Sequence, residues 1–373
     1  MSMLSQLLES GKDSEIEPSI ALQVIQAFGR NPEYGGPIQS AKGLLEEFRL
    51  NGWQASVLSS YRRTARSIEY CPPFNTQEFG IPVYYLGNIG GFRWTRVELF
   101  GWAVAYRLIK RANLVVVHGF RGWTGTVVSI ICRVLGKRCW MFSHGMVTRR
   151  FRSMTIKWIF DRICGDWLLS LYEKILVTSE SECLELANAG VDRRRVAIIR
   201  PVSGLQEPID LAHVDFKAEN GLESDIRMLL TVGRVVPIKN IEAGICSLAG
   251  LPDCFHFVIV GPIEDRSYHH QLVELSRRLR VEARVHFVGA VFGPLKWSAI
   301  DQADCCLLLS HYENFGHFAS EVRERSKSLV ISKHCGYAET VKCNADDIQV
   351  VDPSDELAVV NAVRTIVAAG EPI

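Results

Sequence analysis

The sequence predicts an α/β protein made of two Rossmann-like domains, each built on a doubly wound parallel sheet. Its 373 residues are too many for one ordinary hydrophobic core and suit two domains of typical size. Apolar, β-branched runs alternate with helical patterns along the chain, which is the sequence pattern of parallel sheets. Several runs are apolar at every position, as expected for strands that helices cover on both faces.

The first half contains six runs with the composition of buried strands. They span residues 19–28, 54–60, 113–119, 137–145, 174–179 and 196–201. Helical periodicity lies between them at residues 38–50, 125–136 and 180–190. A glycine ends or follows each helix, where chains often turn left-handed, and these glycines are Gly52, Gly136 and Gly190. We therefore expect one sheet covered by helices.

The second half repeats this pattern and ends in a helix over residues 355–370. Its strand candidates span residues 227–234, 255–261, 285–291, 304–310, 328–334 and 347–352. Residues 203–225 are polar and poorly periodic, so we place the domain boundary there, with domains at 1–205 and 206–373. Ligands of such sheets bind beyond the carboxyl ends of the strands, so two sheets facing a cleft would present their chemistry from strand ends.

Composition and charge exclude several classes of protein. The 42 basic and 41 acidic residues give a net charge of +1, which does not support nucleic-acid binding. The 11 cysteines form no C-x-x-C pair, so we expect free thiols in a reducing compartment and no metal site. The N-terminus lacks the features of a secretory signal, and no run is long enough to span a bilayer. These features predict a cytoplasmic protein.

Two stretches bear on membrane contact. The longest apolar candidate, residues 97–109, is short, and we expect a buried helix there. Residues 149–174 mix basic side chains with tryptophans, which is compatible with an interfacial helix and a peripheral contact at the inner membrane face. A packed amphipathic helix is the other interpretation of this stretch.

In each domain, one candidate site follows the first strand. Gly35 and Gly36 lie between a strand and a helix, where a backbone without side chains can approach an anion at the helix start. An ordinary turn is the alternative. Arg234 and Lys239 follow the first strand of the second half, and two cations there can neutralise a diphosphate. Their alternative is two solvated surface charges.

The run from His311 to Glu321 gives the strongest pattern. Glu313 would end an apolar strand, and Asn314, Phe315 and Gly316 would form a helix start whose N–H groups can hold phosphate. Glu321, inside that helix, could accept hydrogen bonds from two ribose hydroxyls. Glutamates at this spacing also occur on solvated helices, so their position after an apolar strand is what favours a site.

A histidine follows another strand in the first half. His118 ends the run NLVVVHG, where a side chain can polarise or hydrogen-bond a substrate hydroxyl. A structural histidine is the alternative, and His144 is a weaker candidate of the same kind.

The order of these motifs resembles the retaining glycosyltransferases of family 4, which adopt the two-Rossmann-domain architecture called GT-B. The resemblance covers residues from about 20 to the last helix, and it looks most like bacterial enzymes that build cell-surface polysaccharides. It implies a nucleotide-diphosphate-sugar donor bound by the C-terminal domain, a glycan or lipid-linked acceptor bound by the N-terminal domain, retention of anomeric configuration, and no required metal or cofactor.

The resemblance also implies roles for matching residues. His118 and Glu313 would act at the transferred sugar, while Gly36, Arg234 and Lys239 would contact the diphosphate, and Glu321 the ribose. The chain departs from the family after Glu321, where VRERSKSLVIS lacks the usual Gly-x-Pro turn. Donor base and sugar therefore cannot be transferred from the family.

Three alternatives remain from the sequence. A GT-B-shaped nucleotide-sugar epimerase would share the diphosphate contacts but need an acid–base set around one carbon. A non-catalytic nucleotide-sugar-binding homologue is suggested by the altered segment after Glu321. An NAD-dependent dehydrogenase lacks its G-x-G-x-x-G turn here.

Overall fold

The computed structural model describes residues 18–28, 36–60, 72–92, 95–147, 161–200, 214–341 and 347–369, together with residues 4, 7–8 and 158. The chain divides into two compact units, Met1–Glu207 and Pro208–Ile373. Each unit is built on its own sheet and has its own hydrophobic clusters, so both predicted α/β sheets are present.

The sheet of the first unit has nine strands among the described residues. They are β1 (Ile20–Ile25), β2 (Gln54–Ser60), β3 (Phe74–Glu78), β4 (Ile81–Phe92), β5 (Thr95–Phe100), β6 (Leu114–His118), β7 (Arg138–Phe142), β8 (Lys174–Val177) and β9 (Val196–Ile198). Their order is β3-β4-β2-β1-β6-β7-β8-β9, with β5 paired to β4. All pairings are parallel except those of β3 and β5 with β4.

Five α-helices of the first unit are described. They are α1 (Gly36–Leu50), α2 (Trp102–Arg111), α3 (Trp123–Val134), α4 (Asp166–Ser170, after a π-helical turn at Asp161–Gly165) and α5 (Glu180–Asn188). The three predicted helix-end glycines, Gly52, Gly136 and Gly190, all have positive φ. The predicted glycine C-caps are therefore confirmed.

In the described part of the second unit the sheet has six strands, all parallel, in the order β12-β11-β10-β13-β14-β15. They are β10 (Arg227–Val232), β11 (Phe255–Val260), β12 (Val285–Gly289), β13 (Cys305–Leu308), β14 (Leu329–Ser332) and β15 (Ile348–Val351). Its helices are α6 (Phe216–Glu219), α7 (Ile241–Leu248), α8 (Arg266–Arg278), α9 (Pro294–Gln302), α10 (His317–Glu324) and α11 (Glu356–Ala369). This is the doubly wound order of dinucleotide-binding domains.

Strand β13 shows why its sequence is apolar at every position. Cys305 and Leu307 join the core on one face of the sheet, whereas Cys306 and Leu308 join the core on the other face. Burying one such side chain contributes about 1.5–3 kcal/mol relative to exposure, so both faces stabilise the strand. The two cysteines are free and buried, as the sequence predicts.

Residues 72–111 differ from the sequence-based expectation. Strands β3, β4 and β5 were not predicted, and the expected buried helix at 97–109 is instead strand up to Phe100 and helix α2 from Trp102. Gly101 separates them with a φ of 91°. Along α2 only Ala105 and Ile109 are buried, so this helix is amphipathic. No helix among the described residues is long and apolar enough to cross a membrane.

Each sheet has a point where neighbouring strands send their helices to opposite faces. In the second unit, α7 follows β10 onto one core, and α10 follows β13 onto the other. In the first unit, β1 and β6 are neighbours in the same way. The loops after such strands diverge and leave an opening at the carboxyl edge of the sheet, where ligands of this fold class bind.

Candidate functional site

The predicted site residues of the second unit lie on the loops after β10 and β13, except Glu321, which lies inside helix α10. The Lys239 ammonium contacts Oε2 of Glu313, and Ser310 Oγ lies 3.4 Å from the same oxygen. Lys239 ends a 3₁₀ turn, and the next residue, Asn240, is left-handed with a φ of 49°. The buried Asn240 side chain donates to the carbonyls of Leu309 (3.1 Å) and Pro353 (3.2 Å), which fixes where Lys239 can reach.

Backbone hydrogen bonds hold the Glu313 loop on both sides. On the β10 side, the His311 N–H donates to the Ile238 carbonyl at 2.9 Å. On the β14 side, Glu313 N–H donates to the His334 carbonyl (3.1 Å), and Gly336 N–H donates to the Glu313 carbonyl (2.9 Å). The carboxylate is thus carried on a loop that is anchored to both neighbouring strand ends.

Gly316 makes the transition from this loop into helix α10. Its φ is 93°, and a Cβ on it would collide with Sγ of Cys335 and come within 3.2 Å of Leu308. Only glycine meets both demands without strain. The following helix starts at His317, and the first N–H groups of a helix have no partner inside the helix, so they can bind an anion.

Asn314 and Phe315 complete this helix start in different ways. Asn314 Oδ1 lies 3.3 Å from the Tyr312 hydroxyl, which donates to it. The Phe315 side chain is buried and packs edge-on against His317 and Tyr337. A contact of Phe315 with a diphosphate is therefore restricted to its backbone.

Glu321 has a partner that the sequence analysis missed. Lys296 Nζ lies 2.7 Å from Glu321 Oε1, and the two side chains are only 18% and 14% exposed. Lys296 is in the first turn of α9, where the helix dipole disfavours a cation. That unfavourable position is the signal in the sequence that could have singled it out.

Arg234 pairs with a residue outside the group formed by Lys239, Glu313 and Glu321. It follows β10 as predicted, but its guanidinium pairs with Glu264 at 2.9 Å and is 54% exposed. An exposed pair of this kind contributes little to stability. Arg234 can therefore exchange Glu264 for another anion at small cost.

In the first unit, His118 sits at the carboxyl end of β6 with partners on both ring nitrogens. Its Nε2 is 2.6 Å from Oε1 of Gln23, and its Nδ1 is 2.9 Å from Nε2 of His144. A carbonyl oxygen only accepts, so His118 Nε2 carries the proton and Nδ1 accepts from His144. Burial lowers the pKa of His118 to about 3, so the ring is neutral.

These histidines line a pocket of about 200 Å³ within the first unit. Pro37 and Ile38, from the start of α1, form one wall, and Arg121 and Trp123 form another. Gly36 begins α1 as predicted, whereas Gly35 lies outside the described residues. Gln23, at a buried position of β1, belongs to this site and was not predicted. Its signal is a polar residue inside an apolar strand.

A buried carboxylate holds the loop that carries His144. Glu182 accepts from the Ser143 hydroxyl and from the Gly145 N–H (2.6 Å) through one oxygen, and from the Thr178 N–H (3.0 Å) through the other. His144 lies between the two anchored residues and has a φ of 49°. Glu182 therefore maintains the turn that directs His144 toward His118.

Arg121 holds the far end of the same loop. Its guanidinium binds Asp161 through two parallel hydrogen bonds of 2.7 Å, and it also donates to the carbonyls of Met146 and Val147. Both charged side chains are largely buried. Within the described part of the chain, no group of three or more histidine, cysteine or acidic side chains could hold a metal ion.

Comparisons with known proteins agree with this architecture. The family described as "Glycosyl transferase 4-like domain" matches residues 35–201, and the family described as "Glycosyl transferases group 1" matches residues 214–371. An uncharacterized glycosyltransferase of Methanocaldococcus jannaschii is 29% identical over 192 residues, which cover 49% of this chain and 48% of that protein. The chain spans about half the length of the curated relatives it matches.

Two solved structures illustrate the shared fold. HepE of Anabaena, in complex with UDP and glucose, superposes with a TM-score of 0.67 at 16% identity, covering 93% of this chain and 89% of that one. The catalytic domain of starch synthase IV from Arabidopsis thaliana, bound to ADP and acarbose, superposes with a TM-score of 0.70 at 11% identity, covering 95% and 93%. The predicted GT-B fold is confirmed, and the chain belongs to the family 4 glycosyltransferases, a family of retaining enzymes that use nucleotide sugars.

Proposed function

We propose that this protein transfers a sugar, with retention, from a nucleotide-diphosphate sugar to a glycan or lipid-linked acceptor, in the synthesis of a bacterial cell-surface polysaccharide. The observation that carries the proposal is the Lys239–Glu313 contact beside the start of α10, together with Glu321 in the middle of that helix. These groups offer positive charge for a diphosphate and a carboxylate for a ribose at one strand edge. Similar folds hold UDP with glucose and ADP with acarbose.

The reaction requires charge stabilisation more than proton transfer in this arrangement. The C–O bond between the sugar and the diphosphate breaks, and the electron pair stays on the leaving phosphate oxygen. Lys239, Arg234 and the N–H groups at the start of α10 would neutralise that charge. Glu313 would then face the donor sugar, and Lys239 would exchange part of its contact with Glu313 for phosphate.

The acceptor would use the pocket of the first unit. His118 is neutral, and both its ring nitrogens are hydrogen-bonded within the protein, to Gln23 and His144. We therefore propose that it acts on the acceptor together with His144, and that it does not remove the acceptor proton alone. The retained configuration means that the acceptor hydroxyl approaches from the face that the diphosphate leaves, and its proton can pass to a departing phosphate oxygen.

We also propose that the protein works at the cytoplasmic face of a membrane. Ile163 and Trp167 on the Asp161–Ser170 helical segment are 77% and 51% exposed, and apolar side chains of this kind favour an interface. Sedimentation with vesicles containing anionic lipid tests this part. Binding that is lost in Trp167→Ser would support it, and wild-type protein that stays in the supernatant would contradict it.

The central proposal is tested first by ligand-induced stabilisation. Purified protein is melted with UDP, GDP, ADP, CMP or NAD, each with and without magnesium, since a ligand bound only by the folded state raises the melting temperature. We expect one nucleoside diphosphate to stabilise the protein independently of magnesium, and Glu321→Ala to remove the effect. Stabilisation by NAD alone would contradict the proposal.

The second test identifies the reaction. The sugar donor with the stabilising base is incubated with and without candidate acceptors, and release of nucleoside diphosphate is measured. Acceptor-dependent release, with a product whose anomeric configuration by NMR equals that of the donor, supports a retaining transferase. Conversion of the donor to an epimer without acceptor would favour the epimerase instead.

A further inference from the structure

The ion pair between Lys296 and Glu321 joins the first turn of α9 to the middle of α10. Its N–O distance is 2.7 Å, and both side chains are largely buried. Removing two charges from water at such a site is unfavourable unless each gains well-placed partners. The pair therefore calls for an explanation beyond helix packing, because apolar side chains from α9 and α10 already pack together in the core below it.

The position of Lys296 makes this requirement stronger. It is the third residue of α9, where the N–H groups and the helix dipole are positive, so the helix itself repels an ammonium. Its ammonium also lies 4.8 Å from the centre of the Trp297 ring. The contact with Glu321 is thus the main electrostatic support for a lysine at this place.

The hydrogen-bonding capacity of the pair fits one chemical group. A carboxylate has about four acceptor positions and an ammonium has three donors, and the ion pair uses one of each. The remaining donors and acceptors belong to two groups whose charged atoms are 2.7 Å apart, so the pair can donate and accept at neighbouring points. A vicinal diol needs this, since each of its hydroxyls is both a donor and an acceptor.

From this geometry we infer that Lys296 is a specificity-determining residue that, with Glu321, recognises the ribose diol of the donor. The inference rests on the proposed function. Glu321 accepts from the two hydroxyls, while Lys296 donates to a hydroxyl oxygen and holds the carboxylate in the orientation that both hydroxyls require.

A matched pair of charges on the same two helices provides the control. Arg325, at the end of α10, binds Asp301 of α9 through its Nε at 2.7 Å, and this pair is more exposed, at 38% and 30%. Arg325→Met removes an ion pair between α9 and α10 without touching Glu321. A purely structural role of Lys296 would give Lys296→Met and Arg325→Met the same consequences.

The experiment measures the affinities of UDP, ADP and GDP, each beside its 2′-deoxy and 3′-deoxy form, by calorimetry on the full chain. A hydrogen bond to a charged group is equivalent to about ten- to a hundredfold in affinity, so we expect the wild-type protein to prefer the ribose form by that factor. Lys296→Met should lose most of this preference, and Lys296→Arg should keep part of it. Arg325→Met should keep all of it while lowering the melting temperature.

The outcomes separate the inference from the proposed function. If Lys296→Met, or Lys296→Gln where the methionine variant does not fold, retains the wild-type preference for ribose, the lysine is a structural clamp and the inference is overturned. If the wild-type protein binds nucleoside diphosphates without distinguishing ribose from deoxyribose, the inference is overturned while the proposed function stands. If it binds none of them, both are overturned.

Discussion

His144 donates its Nε2 proton to Nδ1 of His118, and the two rings stack with their centres 5.2 Å apart. His118 in turn donates to Gln23, whose side-chain nitrogen lies 3.3 Å from the Ala41 carbonyl of α1. The chain of contacts runs from the loop after β7 to the helix after β1. Both histidine positions are therefore coupled, and a change at one of them alters the hydrogen bonding of the other.

The pH dependence of stability tests the neutral state of His118. Its pKa of about 3 in the folded protein lies below the ordinary value of about 6.5. The unfolded chain therefore binds more protons between these values, and stability falls as the pH falls from about 6.5 towards 3. In His118→Gln, the free energy of unfolding should change less steeply with pH, by up to about 1.4 kcal/mol per pH unit. Denaturant titrations of the wild-type protein and the variant from pH 4.5 to 7.5 measure the free energy of unfolding. Plots of this free energy against pH that stay parallel below pH 6.5 would contradict the prediction.

Replacing Glu182 tests whether the His144 turn matters for the reaction. Glu182→Gln keeps the shape of the side chain but replaces one acceptor oxygen with a donor, so one of its buried hydrogen bonds is lost. We expect kcat to fall about tenfold while the affinity for a nucleoside diphosphate is unchanged, because a disturbance of about 1.4 kcal/mol corresponds to that factor. Ring ¹⁵N shifts of His144 should change in parallel. A lower melting temperature with unchanged kcat and unchanged shifts would limit Glu182 to a structural role.

Lys239 tests the charge stabilisation of the leaving group. Lys239→Met should reduce the turnover of the donor about a hundred- to a thousandfold, the usual loss when one preorganised donor is removed. Arg277→Met is the control, since it removes one positive charge from an exposed pair on α8. Turnover of donor sugar by both variants gives the answer, and a Lys239→Met rate within threefold of the control, on the order of 0.6 kcal/mol, would remove Lys239 from the mechanism.

Gly316 tests the close packing at the start of α10. Gly316→Ala meets both a positive φ and the Cys335 sulfur, whereas Gly221→Ala meets only a positive φ of 66° in open space. A left-handed alanine costs about 1–2 kcal/mol, so Gly221→Ala should cost that and Gly316→Ala clearly more. Denaturant unfolding measures both. Cys335→Ala should restore part of the stability that Gly316→Ala loses. Equal losses of stability in Gly316→Ala and Gly221→Ala would show that the Cys335 sulfur can move away without strain.

Ser326 tests the departure from the family after Glu321. It occupies the left-handed position that follows α10, with a φ of 53°, and the Lys327 N–H donates back to the Val322 carbonyl as in a glycine C-cap. Ser326→Gly should therefore stabilise the protein by up to about 1 kcal/mol. Thermal unfolding with and without nucleotide measures this, and the ligand-induced shift should be unchanged. A decrease in stability would show that Ser326 makes a contact worth more than its backbone strain.

The sequence-based prediction succeeded where periodicity carries the information. Strand β13 is apolar at every position, and its burial on both faces and the loop that follows it were accessible from that pattern. Strand β3 was missed because its residues are mostly exposed and it pairs antiparallel at the sheet edge, so it has no apolar run. The partners Gln23, Glu182 and Lys296 were missed for another reason. Each was visible as a residue, but its contact joins segments far apart in the chain.

Pairing of β10 with β13 has a consequence for how the second unit folds and opens. Leu229 lies opposite Cys305, and the helices α7, α8 and α9 with the strands β11 and β12 intervene between them in the chain. Contacts so distant in sequence form late, because the intervening chain must first be ordered. A nucleotide held by the loops after both strands would then join segments that pair early in folding to segments that pair late. Its binding should slow amide exchange most strongly in β13 and β14, since these strands can detach only after the ligand has left.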